Sequence, residues 1–338
     1  MKKKYLLISA AGIALALLAA AGGTLASLLC HRVDHSALCG DENPFIYIDT
    51  DDNVDSLREK TAMGWRFDAF QRVMKPVVRT GRYRVEENMR SIDLYRSLRN
   101  GQQEPLMLTL PSVRTMNRLA GSLGKQLMLD SATVAQALSD SAFCSQYGYT
   151  IATLPALFIP NSYEMYWNIS LPAFMKRMQQ ENARFWNHER QKRAEELGLS
   201  PIEVATLASI VDEETANNGE KPMIAGLYLN RLRKGMLLQA DPTVKFAQGD
   251  FALRRIYFAH LDIDSPYNTY KYAGLPPGPI RIPTVEALEA VLRRVEHPYL
   301  YMCAKEDFSG THNFAATYAE HLRNARRYAK ALNERNIR

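Results

Sequence analysis

Cysteine is scarce in this 338-residue chain, with four residues at positions 30, 39, 144 and 303. None falls in a CxxC pair or at a Cys/His spacing that would hold zinc, so no metal site is expected. The spacings disclose no disulfide pairing, and buried free thiols serve as well as a bridge. There is no internal repeat and no low-complexity tract. A Gly-rich phosphate cradle to accompany a Schiff-base lysine is also missing, which argues against a pyridoxal-phosphate lyase and leaves no cofactor to name. Clusters of one charge are lacking too. The formal charge is +6, but Lys2, Lys3 and Lys4 carry half of it, leaving 39 basic against 36 acidic side chains. Those charges are interleaved along the chain, so nucleic acid is not an expected partner. Hydrophobic residues at 46% and charged residues at 23% exclude a disordered tail, a collagen-like fibre and a multi-span transporter.

What the chain does contain is one long uncharged run, residues 5–29. As a helix rising about 1.5 Å per residue, this run exceeds the roughly 30 Å hydrocarbon core of a bilayer. Three lysines before it and few charges after it place the N-terminus in the cytoplasm. A cleaved signal peptide is the competing reading, but its apolar core is usually only about 7–15 residues long. Cys30 invites a lipoprotein reading, yet Leu29 stands where a small residue is required. A retained single-pass anchor over residues 1–30 is the preferred reading, with the rest of the chain outside the cytoplasm.

Downstream, the patterning mixes short strands and helices, the mark of an α+β fold. Phe45–Ile48, Gly81–Val85 and Leu106–Leu110 read as strands, with helices over 55–62, 66–74 and 91–98 between them. This predicts a small α+β module over residues 31–110. A connecting subdomain is expected over 111–198. It holds a helix capped by Asp130 or Ser131 and one long charged helix from Ser170-Leu171-Pro172 to Leu197-Gly198. Residues 199–338 form the remaining, mixed domain.

Ser200-Pro201-Ile202-Glu203 is a strong helix start, with a capping serine, proline at the first position and glutamate completing a capping box. The helix predicted from it runs through Val204, Leu207, Ile210 and Val211 to Asp212-Glu213-Glu214-Thr215, and Asn217-Asn218-Gly219 offers a stop. Glu214 follows Leu207, Ile210 and Val211 by seven, four and three residues, so it continues the aliphatic stripe. Asp212 and Glu213 lie roughly 110–150° away from that stripe. Each carboxylate at a helix C-terminus opposes the macrodipole at a cost of about 0.3–1 kcal/mol. One reading is a solvated acidic cluster. The other has Glu214 facing a half-apolar cleft, where desolvation and the dipole raise its pKa as a general acid requires. Pattern alone leaves both open.

A second helix begins at Pro222, carries Ile224, Leu227, Tyr228 and Arg231, and ends at Gly235. Polar and aromatic residues then gather in loops: Leu238-Gln239-Ala240-Asp241-Pro242-Thr243, Ser265-Pro266-Tyr267-Asn268-Thr269-Tyr270, Gly274-Leu275-Pro276-Pro277-Gly278-Pro279-Ile280 and Thr311-His312-Asn313-Phe314. Aromatic faces that stack on pyranose rings, with neutral amides and hydroxyls for sugar hydroxyls, are the means of a sugar site. The plain alternative is that the prolines turn the chain and the tyrosines are core.

Taken in order, Ala208-Ser209-Ile210-Val211 before Glu214-Thr215, Asn230-Arg231-Leu232, Leu238 to Val244, Tyr267-Asn268-Thr269-Tyr270, Gly274 to Ile280 and His312-Asn313-Phe314 closely resemble the YceG-like family, the endolytic murein transglycosylases. The specific motifs cover roughly residues 207–321. Gly81-Arg82-Tyr83 and Phe158-Ile159-Pro160-Asn161-Ser162-Tyr163 fall where the family has similar segments. The resemblance implies an anchored enzyme of the bacterial cytoplasmic membrane. Its body would comprise a LysM-like module over 31–110 and a catalytic domain with a lysozyme-like active-site arrangement. It further implies internal cleavage of nascent peptidoglycan strands between N-acetylmuramic acid and N-acetylglucosamine, leaving 1,6-anhydro ends, and work alongside cell-wall synthases or divisome proteins. The family's catalytic glutamate maps onto Glu214. Its Glu-Lys-Glu-Thr pattern is Asp212-Glu213-Glu214-Thr215 here, so a cation beside the acids has become an acid, and Asn161-Ser162 replaces the usual Asp-Thr.

On this reading Glu214 acts first as acid and then as base. Gln239, Asp241, Thr243, Tyr267, Asn268, Thr269 and His312 are the substrate-binding candidates. Asn230 and Arg231 are structural, Arg231 by pairing a neighbouring acid. The rivals are a hydrolytic muramidase with Asp241 as second carboxylate, and a non-catalytic wall-binding scaffold.

Overall fold

The computed structural model describes residues 2–39, 43–74, 78–253 and 256–335, with side chains from residue 12 onward. It divides into two compact units. The first comprises residues 1–108 with the short returns 126–128 and 163–169. It opens with the helix Lys2–Cys30, whose segment Gly12–Cys30 has a mean hydropathy of 2.1 and leaves Leu15, Leu17 and Leu18 exposed. One N-terminal helix this long and apolar fits a membrane anchor or a signal sequence. Beyond it, strands β1 (Phe45–Ile48) and β2 (Gly81–Arg84) pair antiparallel, with Phe45 opposite Arg84 and Ile48 opposite Gly81. Alternation sends Ile46, Ile48 and Tyr83 inward, where they join Phe67, Leu94 and Tyr95 from the flanking helices. The helix Ser91–Asn100 ends on Gly101 in the left-handed conformation, as its Asn-Gly sequence predicts.

The second unit holds residues 109–125, 129–162 and 170–338. Strand β3 (Leu106–Leu110) pairs with β4 (Asn161–Met165), and residues 106–108 and 163–165 of these strands belong to the first unit. The single long helix expected over 170–198 is instead two, Leu171–Phe185 and His188–Leu197. Asn187 accepts the Arg190 N–H and caps the second helix, while Trp186 leaves helical geometry (ψ 59°) to bury its ring edge-on to Phe185. A buried aromatic and a local cap outweigh one continuous run of charge.

The helix Pro201–Glu214 forms the centre of this unit. Its capping box is present as predicted, the Ser200 N–H donating to Glu203 Oε2 at 2.7 Å. Val204 through Asp212 are all buried, since Lys221–Arg233 and Val285–Leu292 pack against the helix and the 3₁₀ turn Leu154–Leu157 adds to its cover. Each of Val204, Leu207, Ile210 and Val211 is fully enclosed, which contributes about 1.5–3 kcal/mol apiece. Around this core lie the antiparallel hairpin β5 (Tyr301–Ala304) and β6 (His312–Ala315), with Ala304 opposite His312, and the amphipathic helix Tyr318–Glu334. The Pro/Gly loop reaches the central helix directly, because the Ile280 N–H donates to Ser209 Oγ at 3.0 Å. Two residues earlier Gly278 presses on backbone: a Cβ there would stand 2.0 Å from the Ala152 carbonyl oxygen.

Candidate active site

The central helix stops at Glu214 because Thr215 turns extended (φ −145°, ψ 138°), short of the Asn-Asn-Gly stop. Three consecutive carboxylates meet the helix end, and the fold surrounds each differently. Asp212 receives the Lys221 ammonium at 2.6 Å, the Thr284 N–H at 3.0 Å and the Thr284 hydroxyl at 2.9 Å. Glu213 takes both arms of the Arg114 guanidinium at 2.7 Å, and Arg281 Nη1 at 3.0 Å. Their side chains are only 4% and 11% exposed, so the cluster is clamped by cations and not solvated. The three cations that balance these two acids, Lys221, Arg114 and Arg281, come from other segments of the chain.

Glu214 has no ion-pair partner among the described residues. Its Oε1 accepts the Tyr228 hydroxyl at 2.7 Å. Burial pushes its carboxyl up to about 7; the Tyr228 hydrogen bond opposes this, and the nearby Asp241 charge adds to it. A carboxyl that titrates near neutrality can give a proton and take one back.

Glu214 opens onto a cavity of about 240 Å³ shared with Tyr228, Arg231, Gln239, Asp241, Tyr270 and His312. Asp241 accepts the Tyr270 hydroxyl at 2.5 Å. Gln239 adopts the left-handed backbone region (φ 52°), and its Oε1 receives Arg231 Nη1 at 3.3 Å. His312 is held from behind by the buried Glu220, whose carboxylate accepts the His312 backbone N–H at 2.7 Å and meets ring Nδ1 at 2.8 Å.

The structure therefore brings Glu214, Gln239, Asp241 and His312 together, but it puts other candidates elsewhere. Thr243 and Thr269 are buried with their hydroxyls 2.8 Å apart, and they also bond the Ala240 carbonyl and N–H. Asn268 is buried and donates to the Leu261 and Ile263 carbonyls. These three hold loops in place rather than line the cavity. Tyr267 packs tilted against Phe246, with ring centroids 4.7 Å apart, in a separate apolar groove with Arg114 and Pro279. Asn230 donates to the His297 and Tyr299 carbonyls. Arg231 pairs no acid among the described residues. It donates to the Leu237, Leu238 and Leu300 carbonyls, tying the Gln239 loop to the hairpin.

Two cavity residues, and one that holds a cavity residue, escaped the sequence reading. Tyr228 reads as one apolar position of its helix, and Tyr270 as one tyrosine of a cluster. Glu220 carries no local signal, because its partner lies 92 residues away. No group of His, Cys, Asp and Glu able to hold a metal occurs among the described residues. The described cysteines are free, Cys39 and Cys144 buried, with burial pushing both thiols up.

The profile of the YceG-like family matches residues 49–327. The "Endolytic murein transglycosylase" of Bacillus subtilis (strain 168) is 39% identical over 137 residues, 40% of this chain and 37% of that protein. A protein of the same name from Streptococcus pneumoniae serotype 2 (strain D39) is 27% identical over 282 residues, 73% of this chain and 50% of its own length. The matched regions thus amount to half or less of these curated relatives. The crystal structure of a yceG-like protein from Listeria monocytogenes shares the fold at a TM-score of 0.55 and 24% identity, over 82% of this chain and 98% of that one.

Proposed function

The chain belongs to the YceG-like family, and we propose that it is a lytic transglycosylase that cuts peptidoglycan glycan strands internally, with Glu214 as acid and then base. The observation that carries this reading is one carboxyl, half-buried and without a cation, whose pKa rises to about 7 inside a cavity lined by polar groups. The relatives that are named endolytic murein transglycosylases supply the substrate class.

In the proposed reaction Glu214, protonated, gives its proton to the glycosidic oxygen leaving C1 of N-acetylmuramic acid. The C1–O bond breaks and N-acetylglucosamine departs with a free 4-hydroxyl. The muramic C6 hydroxyl closes onto C1, and its proton passes to the Glu214 carboxylate, which restores the acid. No water is consumed and the product end is 1,6-anhydro. Tyr228 fixes the orientation of the carboxyl throughout. Gln239, Asp241 and Tyr270 bind and orient the sugars. General acid–base catalysis contributes about 10²–10⁴-fold, and positioning by these loops supplies much of the rest.

The apolar N-terminal helix anchors the chain in the cytoplasmic membrane with the catalytic unit outside the cytoplasm. A LysM-like first unit holds glycan, and the anchor keeps the enzyme near nascent strands, beside the synthases or divisome proteins whose products it shortens.

The test is mass spectrometry of glycan strands digested by the detergent-solubilised full chain and by Glu214→Gln. Internal fragments ending in 1,6-anhydro-muramic acid are expected from the parent protein and none from the variant. Reducing ends would make the enzyme a hydrolase and point to Asp241 as the second carboxylate. Undiminished cleavage by the variant would remove Glu214 from the mechanism.

A further inference from the structure

Glu220 stands just before the helix Lys221–Arg233, and only 8% of it is exposed. A buried carboxylate is expected to be paired with a cation or used as a hydrogen-bond acceptor. Its sequence neighbour Lys221 does not serve it, since that ammonium is bound to Asp212 at 2.6 Å. Both Glu220 oxygens go instead to one residue: Oε1 takes the His312 backbone N–H at 2.7 Å, and Oε2 lies 2.8 Å from His312 Nδ1.

An ionised carboxylate has no hydrogen to give, so the hydrogen shared with Nδ1 belongs to the ring. In the neutral imidazole this leaves Nε2 without a hydrogen, and Nε2 is the ring nitrogen left for the cavity that His312 shares with Glu214. Several of the other polar atoms there already have partners. The Tyr228 hydroxyl donates to Glu214, the Tyr270 hydroxyl donates to Asp241, and Gln239 Oε1 accepts from Arg231.

We propose that Glu220 is a positioning residue: it fixes the Nδ1–H tautomer of the neutral His312 ring, in which Nε2 faces the substrate as a hydrogen-bond acceptor for a sugar hydroxyl or N-acetyl N–H. This deepens the reading of the cavity as a glycan site, on which its kinetic consequence rests. The tautomer itself does not depend on that reading. The arrangement places a second, fixed acceptor beside Glu214 without adding another carboxylate. It thereby orients the sugar without the charge repulsion that would further raise the Glu214 pKa.

The decisive variant is Glu220→Gln, which keeps shape and can still accept the His312 backbone N–H. Its amide nitrogen, however, would donate to Nδ1. The ring hydrogen then moves to Nε2 and the acceptor becomes a donor. Nitrogen-15 NMR of the full chain labelled at histidine, with His312 assigned through His312→Gln, reads this directly in the alkaline arm of a pH titration. Hydrogen on Nδ1 in the parent protein and on Nε2 in Glu220→Gln is expected. Strand cleavage by Glu220→Gln should fall about 10–100-fold in kcat/KM, the loss expected when a polar group in the site is left without its hydrogen-bond partner.

Hydrogen on Nε2 in the parent protein overturns the proposal, whether or not the variant folds. So does a Glu220→Gln protein that flips the tautomer yet keeps its kcat/KM. A parent protein that cleaves no glycan would count against the glycan reading, and the spectrum would still decide the tautomer.

Discussion

The two sides of one helix end make the instructive comparison. On one side Asp212 and Glu213 are paired with Lys221, Arg281 and Arg114 and serve as anchors. On the other, a single residue further, Glu214 meets Tyr228 and a cavity, and its carboxyl rises to about 7. All three are carboxylates, and the macrodipole opposes each of them. The difference lies in what the rest of the fold brings: cations to two of the acids, and burial with one hydroxyl to the third. Chemistry at this site is therefore defined by which acid is denied a cation.

The comparison can be broken at either side. The largest effect is expected at Glu214 itself, where Glu214→Gln should abolish cleavage. The same variant carries a stability signature. A folded-state pKa of about 7, above the ordinary 4.5, favours the fold while the carboxyl keeps its proton. That advantage is lost as pH rises from about 4.5 through 7. Glu214→Gln, which never ionises, should gain in melting temperature over the parent protein above neutral pH and not at acid pH.

Breaking the clamp comes next. Lys221→Met strands Asp212, with both partners only 4–5% exposed, and should cost about 3–5 kcal/mol in denaturant unfolding. An unchanged midpoint would mean that Thr284 and Arg281 suffice for Asp212. A smaller effect is expected at the cavity from Tyr228→Phe. The lost hydroxyl lowers the Glu214 pKa at present, so its removal should move the alkaline limb of the pH–rate profile upward from near 7 by roughly one unit. A downward shift would reverse the role given to Tyr228. The smallest change belongs to the scaffold. Thr243→Val should cost about 1 kcal/mol of stability and leave the pH profile where it is, because its hydroxyl bonds Ala240 and Thr269 outside the cavity.

Much of this was legible locally. Strands Phe45–Ile48 and Leu106–Leu110, the Ser200 capping box and the stripe continued by Glu214 follow from short-range periodicity and capping. What was not legible is what arrives from a distance. The Arg114 and Arg281 partners of Glu213 lie 99 and 68 residues away, and Glu220 is 92 residues from His312. No local pattern encodes such pairings. The break at Trp186-Asn187 was hidden for a different reason, since charged residues continue on both sides of it while one ring turns inward. Loop residues rich in hydroxyls and amides resembled ligands equally well whether they faced the cavity, as Gln239 does, or served the backbone, as Thr243, Asn268 and Thr269 do.

The loop that bonds Ser209 also constrains which sequences can inherit this site. Gly274 has a φ of 87° with open space around it, so its alphabet is short, favouring glycine and the few residues such as asparagine that tolerate left-handed backbone. Gly278 is restricted by volume instead, because any side chain would enter the Ala152 carbonyl. Its alphabet has one letter. Among descendants of this chain, drift can reach position 274 by a single step, but position 278 can change only together with the path of the backbone at 152–153.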